Sequence, residues 1–589
     1  MTIKIRKSQV IQPFGVGSII EGEGGSYVVK DISQWRVPDM EDISIPSLVE
    51  GIPSIRRIMS PKNDFELPVQ RFPQWNFCPN TSCRRLYKLK YQDKNQCRTP
   101  ECKNKQLVPM RWVMVCEDGH MTDIDWSYYC HLGQVADTGR CQPPPDSGSI
   151  KFFTGQGGDF DQMFLECKEC GAKNNFEFLK PVSDDTRFDC SGYQAWVFND
   201  NASCDKKAVF QPRGSAIIHY PKILSSLDLS SEESLVSIRD NDTYQQTVQM
   251  FRGFWEEVPE QQKAGVYMTL SNIAEEYGYS EDEARQAFHE DVISQDNSPE
   301  EPIDETYDLE LLQKDILFKE YKLITSAENI NISTLKKSDV DIGGLEQRDF
   351  IKRLIRIENL VEVRAFFGFN RVNPDNEPIT ADIENSRDWI PGVKILGEGI
   401  FFEIDHSKIN SWKENNRDAI NLRISPISKA FRDHPLGEEM GAAASPEFIL
   451  IHTLSHIFIS KLAFQAGYSV NSIRERIYCF PEINSFGVLI YTADSDSEGS
   501  LGGLQELGKA SKFSNILMKS IEDSRWCSND PICRESKGLS VQQLNRSACH
   551  SCSLLPETSC IYNNTLLDRV LLTGEPEENS EELNGFFNE

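Results

Sequence analysis

The chain has 589 residues, with 62 lysines and arginines against 90 aspartates and glutamates, for a formal net charge of −28. That acid excess argues against a general nucleic-acid coat, which needs a basic surface to neutralise phosphate. The length suggests three or four domains. The opening MTIKIRKSQVIQPFG has neither an apolar h-region nor a small-residue cleavage site, so a reducing cytoplasm is expected, where paired cysteines are more often metal ligands than disulfides.

In chain order, residues 1–66 alternate apolar and polar positions around Gly15, Gly17 and the Gly22 to Gly25 run, which predicts a small β-rich module. Residues 67–215 hold eleven of the seventeen cysteines among short strands and turns, a zinc-ribbon region. From 216 to 345 the texture is helical and acidic: LSNIAEEYGYSEDEARQAFHEDV has Ser280 as an N-cap, and Ser294 to Thr306 reads as a linker. In 346–430 the run LEQRDFIKRLIRIENLVEVRAFF reads as a helix leading into the strand GVKILGEGIFFEI.

The module 431–570 opens with a helix capped by Ser445, with Pro446 at its first position, Glu447 at the positive end of the dipole and Gly467 at its end. Its most apolar part, Phe448 to Ala466, carries His452, His456 and Lys461, so no membrane span is expected. Ser472 to Glu475 spells a capping box for a second helix. The run Phe486 to Ala493 is a buried strand ending in the Gly-rich loop Asp494 to Leu504, and 571–589 is an acidic tail. The predicted class is α+β and multidomain, with a β-rich N-terminal module, several zinc ribbons, a helical insertion, and a C-terminal α/β module with a four-cysteine zinc site.

The cysteines carry the clearest chemistry. Closely spaced thiolates fill two corners of a tetrahedron from one tight turn, and a second pair completes it. Cys78, Cys83, Cys97 and Cys102 form one such quartet; Cys167, Cys170, Cys190 and Cys204 form another. Between them, Cys116, His120, His131 and Cys141 offer a Cys2His2 set, with Cys130 a rival to His131. Near the C-terminus Cys533, Cys549, Cys552 and Cys560 are favoured, with Cys527 a neighbour or substitute, and Cys479 reads as core in a helical context. Three to four Zn²⁺ ions per chain are expected, none with an open position for catalysis.

Other motifs are weaker. Gly503 to Ala510 nearly spells a P-loop but lacks the hydroxyl that would bind Mg²⁺. His452 and His456 share a helical face, yet Thr453 stands where H-E-x-x-H has glutamate, so buried, hydrogen-bonded core histidines are expected. The acids Asp494, Asp496 and Glu498 are the one place for a metal-dependent nuclease or DNA-processing enzyme; a helix-capping turn is preferred. Arg84, Arg85, Lys88, Lys90, Lys94, Arg98, Lys103, Lys105 and Arg111 give the first ribbon a local basic face.

Several segments, in order, resemble one family: SQVIQPFGVGSII, CEDGHMTDIDW, FQPRGSAIIHYPKILSSLDL, NLVEVRAFFGFNRV, LGEGIFFEI, FILIHTLSHIFI, YTADSDSEGSLGGL, ACHSCSLLPETSC and NNTLLDRVLL. They are similar to the DrmB family of the bacterial DISARM anti-phage system, whose C-terminal four-cysteine domain is also fused to MrfA-type DNA-repair helicases. The resemblance implies a non-enzymatic partner of the helicase DrmA, the two forming a DNA-engaging complex in the cytoplasm. Carried over by motif, it gives Cys533, Cys549, Cys552 and Cys560 as C-terminal zinc ligands, and it favours His131 over Cys130.

Overall fold

A computed structural model of the protein describes residues 1–49, 52, 55–132, 141–154, 162–176, 188–197, 203–229, 242–251, 255, 258–277, 284–285, 288, 292, 309–326, 334–345, 349–373, 376–383, 385–432, 444–492, 503–536, 544–556, 558–575 and 583–588. At its centre is a sheet of nine strands among the described residues. Its main path runs through Tyr220–Leu227, Ile351–Asn370, Trp389–Ile404, Ser485–Thr492 and Ile473–Phe480, all paired antiparallel. The N-terminal segment contributes to the same sheet: Arg57–Pro61 pairs parallel with Trp389–Ile404, and Met40–Asp42 pairs with Arg57–Pro61. A separate four-stranded sheet joins Thr2–Ile5, Phe65–Arg71, Gly25–Val29 and Ile19–Gly22. Mixed sheets and helices make the α+β class.

The two faces of the central sheet are covered by different elements, which explains why its strands are apolar on both sides. On one face Ile400, Phe402, Val488 and Ile490 pack on helix Pro446–Ala466 and on Ala510–Ser524. On the other, Phe401, Leu489 and Tyr491 pack on Tyr321 and Ile324 of helix Leu309–Thr325. Gly397 sits where a Cβ would come within 2.2 Å of the Thr492 carbonyl oxygen, so only glycine permits this close approach of two backbones.

Two expected helices are strands. The run 345–367 is expected to be helical, but most of it belongs to Ile351–Asn370, the longest strand among the described residues. The run is rich in β-branched residues, and its charges, which suggested a wet helical face, are taken up across the sheet: Lys352 reaches Glu403 at 2.8 Å, and Glu362 pairs with Arg476 at 3.1 Å. Likewise Ser472 to Glu475 opens no helix, because Ile473–Phe480 pairs along its length with Ser485–Thr492. Ile473 and Ile477 pack into one core and Tyr478 and Phe480 into the opposite one, the period-two pattern of a doubly buried strand. Cys479 therefore lies on a strand, half-buried against the core.

Helix Pro446–Ala466 matches expectation at both ends: the Ser445 hydroxyl accepts from the Phe448 N–H, Pro446 begins it, and Gly467 closes it at φ 72°. It is long and apolar enough to cross a membrane, but 83% of its apolar window is buried inside the molecule. The expected strand at 486–493 is Ser485–Thr492. The near P-loop is a short helix, Gly503–Leu507. Part of the acidic tail returns to the body, where Phe586 packs on Trp412 and Phe350 and the Trp412 indole N–H donates to the Asn584 carbonyl at 2.8 Å. The Ser280 cap, the 294–306 linker and the Asp494, Asp496 and Glu498 cluster lie outside the described residues.

Candidate metal centres

Four clusters each bring four Cys or His ligand atoms within 4.8 Å of one another. A tetrahedral zinc ion, at about 2.3 Å from sulfur and about 2.0 Å from nitrogen, sets sulfurs about 3.8 Å apart and nitrogen about 3.5 Å from sulfur. A disulfide would set two sulfurs at about 2.0 Å, and every cysteine is free. The separations below follow the zinc values.

The first cluster is Cys78, Cys83, Cys97 and Cys102, as the spacing predicts. The Cys78–Cys102 and Cys83–Cys97 sulfurs lie 3.7 and 3.8 Å apart. Strands Trp75–Phe77 and Leu86–Lys88 carry one knuckle between them, in which the Cys83 and Arg84 N–H groups turn back to the Asn80 carbonyl. In the second knuckle the Cys102 N–H donates to the Thr99 carbonyl at 3.0 Å. Burial opposes ionisation of Cys97, but hydrogen bonds from Thr99, Tyr87 and Cys78 outweigh it and bring the thiol down to about 7.

The next two clusters are partitioned differently from the sequence expectation. Cys116 and His120 meet Cys190 and Cys204, while His131 and Cys141 meet Cys167 and Cys170. The cause is nesting. Strand Trp112–Val115, which leads into Cys116, pairs with Lys207–Pro212, bringing Cys190 and Cys204 back beside the Cys116–His120 turn. The sequence between them folds as its own ribbon on Ile150–Phe153, Phe164–Cys167 and Lys173–Asn175. Grouping by chain order cannot see one ribbon inserted in another.

Geometry supports both regrouped sets. Cys116 Sγ lies 3.4 Å from His120 Nδ1, across a turn completed by Gly119 at φ 76°. The buried Arg371 guanidinium braces that turn, donating to the Gly119 carbonyl at 2.9 Å. In the inserted ribbon, Cys141 and Cys167 sulfurs stand 3.8 Å apart and His131 Nε2 lies 3.3 Å from Cys170 Sγ. His131 Nδ1 is 2.7 Å from the Ser127 carbonyl, which fixes Nδ1 as donor and leaves Nε2 for a metal. Cys130 is buried nearby, 3.7 Å from the Ala172 carbonyl, and is not in the cluster.

At the C-terminus the cluster is Cys527, Cys533, Cys549 and Cys552. Cys527, held as the substitute, takes the place expected for Cys560. The Cys527–Cys549, Cys533–Cys552 and Cys549–Cys552 sulfurs are 3.6, 3.9 and 3.8 Å apart. A turn in which the Cys527 N–H donates to the Asp530 carboxylate at 2.9 Å presents the first thiol. A hydrogen bond from Cys533 is the main reason the Cys552 thiol falls to about 5. Cys560 is carried away by the next loop and lies 3.3 Å from His452 Nε2. These four donor sets would hold zinc as closed tetrahedra, which stabilise folds and leave no position for a reacting water.

Comparison with known proteins accords with this chemistry. Residues 454–553, which include the four C-terminal ligands but neither His452 nor Cys560, match the MrfA Zn-binding domain, and residues 6–220, which include the three ribbon clusters, match a domain of unknown function, DUF8724. The class is thus a multi-zinc α+β protein with an MrfA-type C-terminal domain. The chain is similar to the DISARM protein DrmB of Bacillus paralicheniformis, 29% identical over 571 residues, which cover 93% of this chain and 96% of that protein.

Proposed function

We propose that this chain is a non-catalytic, zinc-bearing subunit of a cytoplasmic DISARM anti-phage complex, pairing with the helicase DrmA to engage foreign DNA. The observation that carries the reading is the end-to-end similarity to the DISARM protein DrmB, extending over 93% of the chain. Closed four-ligand clusters favour a scaffold over an enzyme, since a catalytic zinc keeps one position open. An acidic chain gains little from phosphate by itself, so DNA engagement is assigned to the complex. A basic strip remains at the first ribbon, where Lys90, Lys94, Lys103 and Lys105 are exposed.

Co-expression with DrmA, affinity capture on this chain and phage plaque counts test the reading. Stable co-purification, with loss of protection when the chain is deleted, is expected. Absence of both overturns it. Mg²⁺-dependent DNA cleavage by the purified chain would instead favour the nuclease alternative at Asp494, Asp496 and Glu498.

A further inference from the structure

A fifth set of ligand atoms lies in the deepest part of the C-terminal core. His452 and His456 stand one turn apart on helix Pro446–Ala466, Glu475 comes from strand Ile473–Phe480, and Cys560 from the loop after the four-cysteine cluster. All four are buried, the first three wholly. Glu475 Oε1 is 3.1 Å from His452 Nε2 and 3.2 Å from His456 Nε2, and Cys560 Sγ is 3.3 Å from His452 Nε2. A tetrahedral ion bound by two imidazoles, a carboxylate and a thiolate would set nitrogen about 3.4 Å from oxygen and about 3.5 Å from sulfur. The observed edges lie close to these values.

We propose that His452, His456, Glu475 and Cys560 form a fifth metal site that takes a zinc ion in a closed N2OS tetrahedron.

Hydrogen bonds prepare His456 and Glu475 and hold Cys560 in place, and ring packing holds His452. The His456 Nδ1–H donates to the Ser553 carbonyl at 2.8 Å, so its Nε2 lone pair faces the centre. The Ser455 hydroxyl donates to Glu475 Oε2, leaving Oε1 for the ion. The Glu475 N–H donates to the Ser559 carbonyl at 3.2 Å, which locks Cys560 beside it. Phe448 and Tyr562 close over the His452 ring.

Charge points the same way. Burial of a carboxylate and a thiol without water is costly unless both are compensated. One divalent ion with one carboxylate, one thiolate and two neutral imidazoles sums to zero. Such a site leaves no room for substrate. It ties helix, strand and C-terminal loop together and, through Ser553, adjoins the cluster containing Cys552.

Zinc counting on the native chain, with K-edge absorption, is the test. Two imidazoles shared over four zinc ions give about half a nitrogen or oxygen neighbour per ion, whereas adding the two imidazoles and the carboxylate of a fifth raises this to about one. Five zinc ions per chain and about one such neighbour are expected; four ions and about one half overturn the proposal. A folded Cys560→Ser chain should hold four ions and show fewer nitrogen and oxygen neighbours per ion. A folded variant with undiminished zinc also overturns it. Should that variant not fold, the native count and spectrum decide alone.

Discussion

Replacing Cys527 by serine should unfold the C-terminal module. Cys527 is buried, its sulfur lies 3.6 Å from that of Cys549, and its backbone N–H is fixed by Asp530. Serine keeps the shape but offers a hydroxyl that is not ionised at neutral pH, so three thiolates remain. A structural zinc contributes on the order of 10 kcal/mol of folding free energy, and losing even half of that, about 5 kcal/mol, equals the whole stability of a modest domain. The module would then expose helix Ala510–Ser524, whose Phe513, Ile516 and Leu517 are buried in the core. Limited proteolysis with mass-spectrometric mapping, beside zinc content, is the assay. Early cuts in 510–536 and the loss of one zinc are expected. A Cys527→Ser chain as protease-resistant as the native protein, with its zinc intact, would refute the assignment and restore Cys560 as fourth ligand.

Other expectations follow from the buried charges and the ribbon surface. Arg423 makes two hydrogen bonds to Asp568 at 2.6 and 2.9 Å with both side chains buried; Arg423→Ala should cost roughly 3–5 kcal/mol, read as a lower unfolding midpoint in urea. Burial opposes ionisation of Glu362, but Arg364, Arg476 and Arg474 outweigh it and hold the carboxyl at about 2. Because the folded value is depressed, its stabilisation is full above the ordinary carboxylate range, near pH 4.5, and is lost as pH falls toward about 2. Glu362→Gln should therefore cost several kcal/mol at pH 7, on the order of a broken buried pair, with the native–variant difference narrowing through that window in denaturant titrations. Lys94→Glu, Lys103→Glu and Lys105→Glu together should weaken DNA binding by the helicase complex and flatten its salt dependence; these exposed side chains are better probes than the half-buried Arg84, Arg85 and Lys88.

Spacing was most informative where one turn supplies both members of a ligand pair. Cys78 to Cys83, Cys97 to Cys102, Cys116 to His120, Cys167 to Cys170 and Cys549 to Cys552 each share a cluster, because three or four intervening residues or fewer cannot separate them. Which pairs combine was not legible beyond the first quartet. The ribbon that holds His131, Cys141, Cys167 and Cys170 is threaded inside the one that holds Cys116, His120, Cys190 and Cys204, as the Val115–Val209 strand register reveals. The two mistaken helices have a related cause. Their apolar periodicity fits a helix or a doubly buried strand, and the long-range pairing of Ile351–Asn370 with Trp389–Ile404 decided it. Glu475 was hidden for the same reason: read as a helix cap, it could not be placed beside His452 and His456, whose shared face was already visible.

A DNA-binding titration of DrmA with and without this chain tests the central claim most directly. The account predicts that the chain alone binds weakly, that it copurifies with the helicase, and that the pair binds DNA more tightly than the helicase alone. A helicase whose affinity for DNA is unchanged by a fully zinc-loaded chain, or a chain that stays separate from it, would contradict the account.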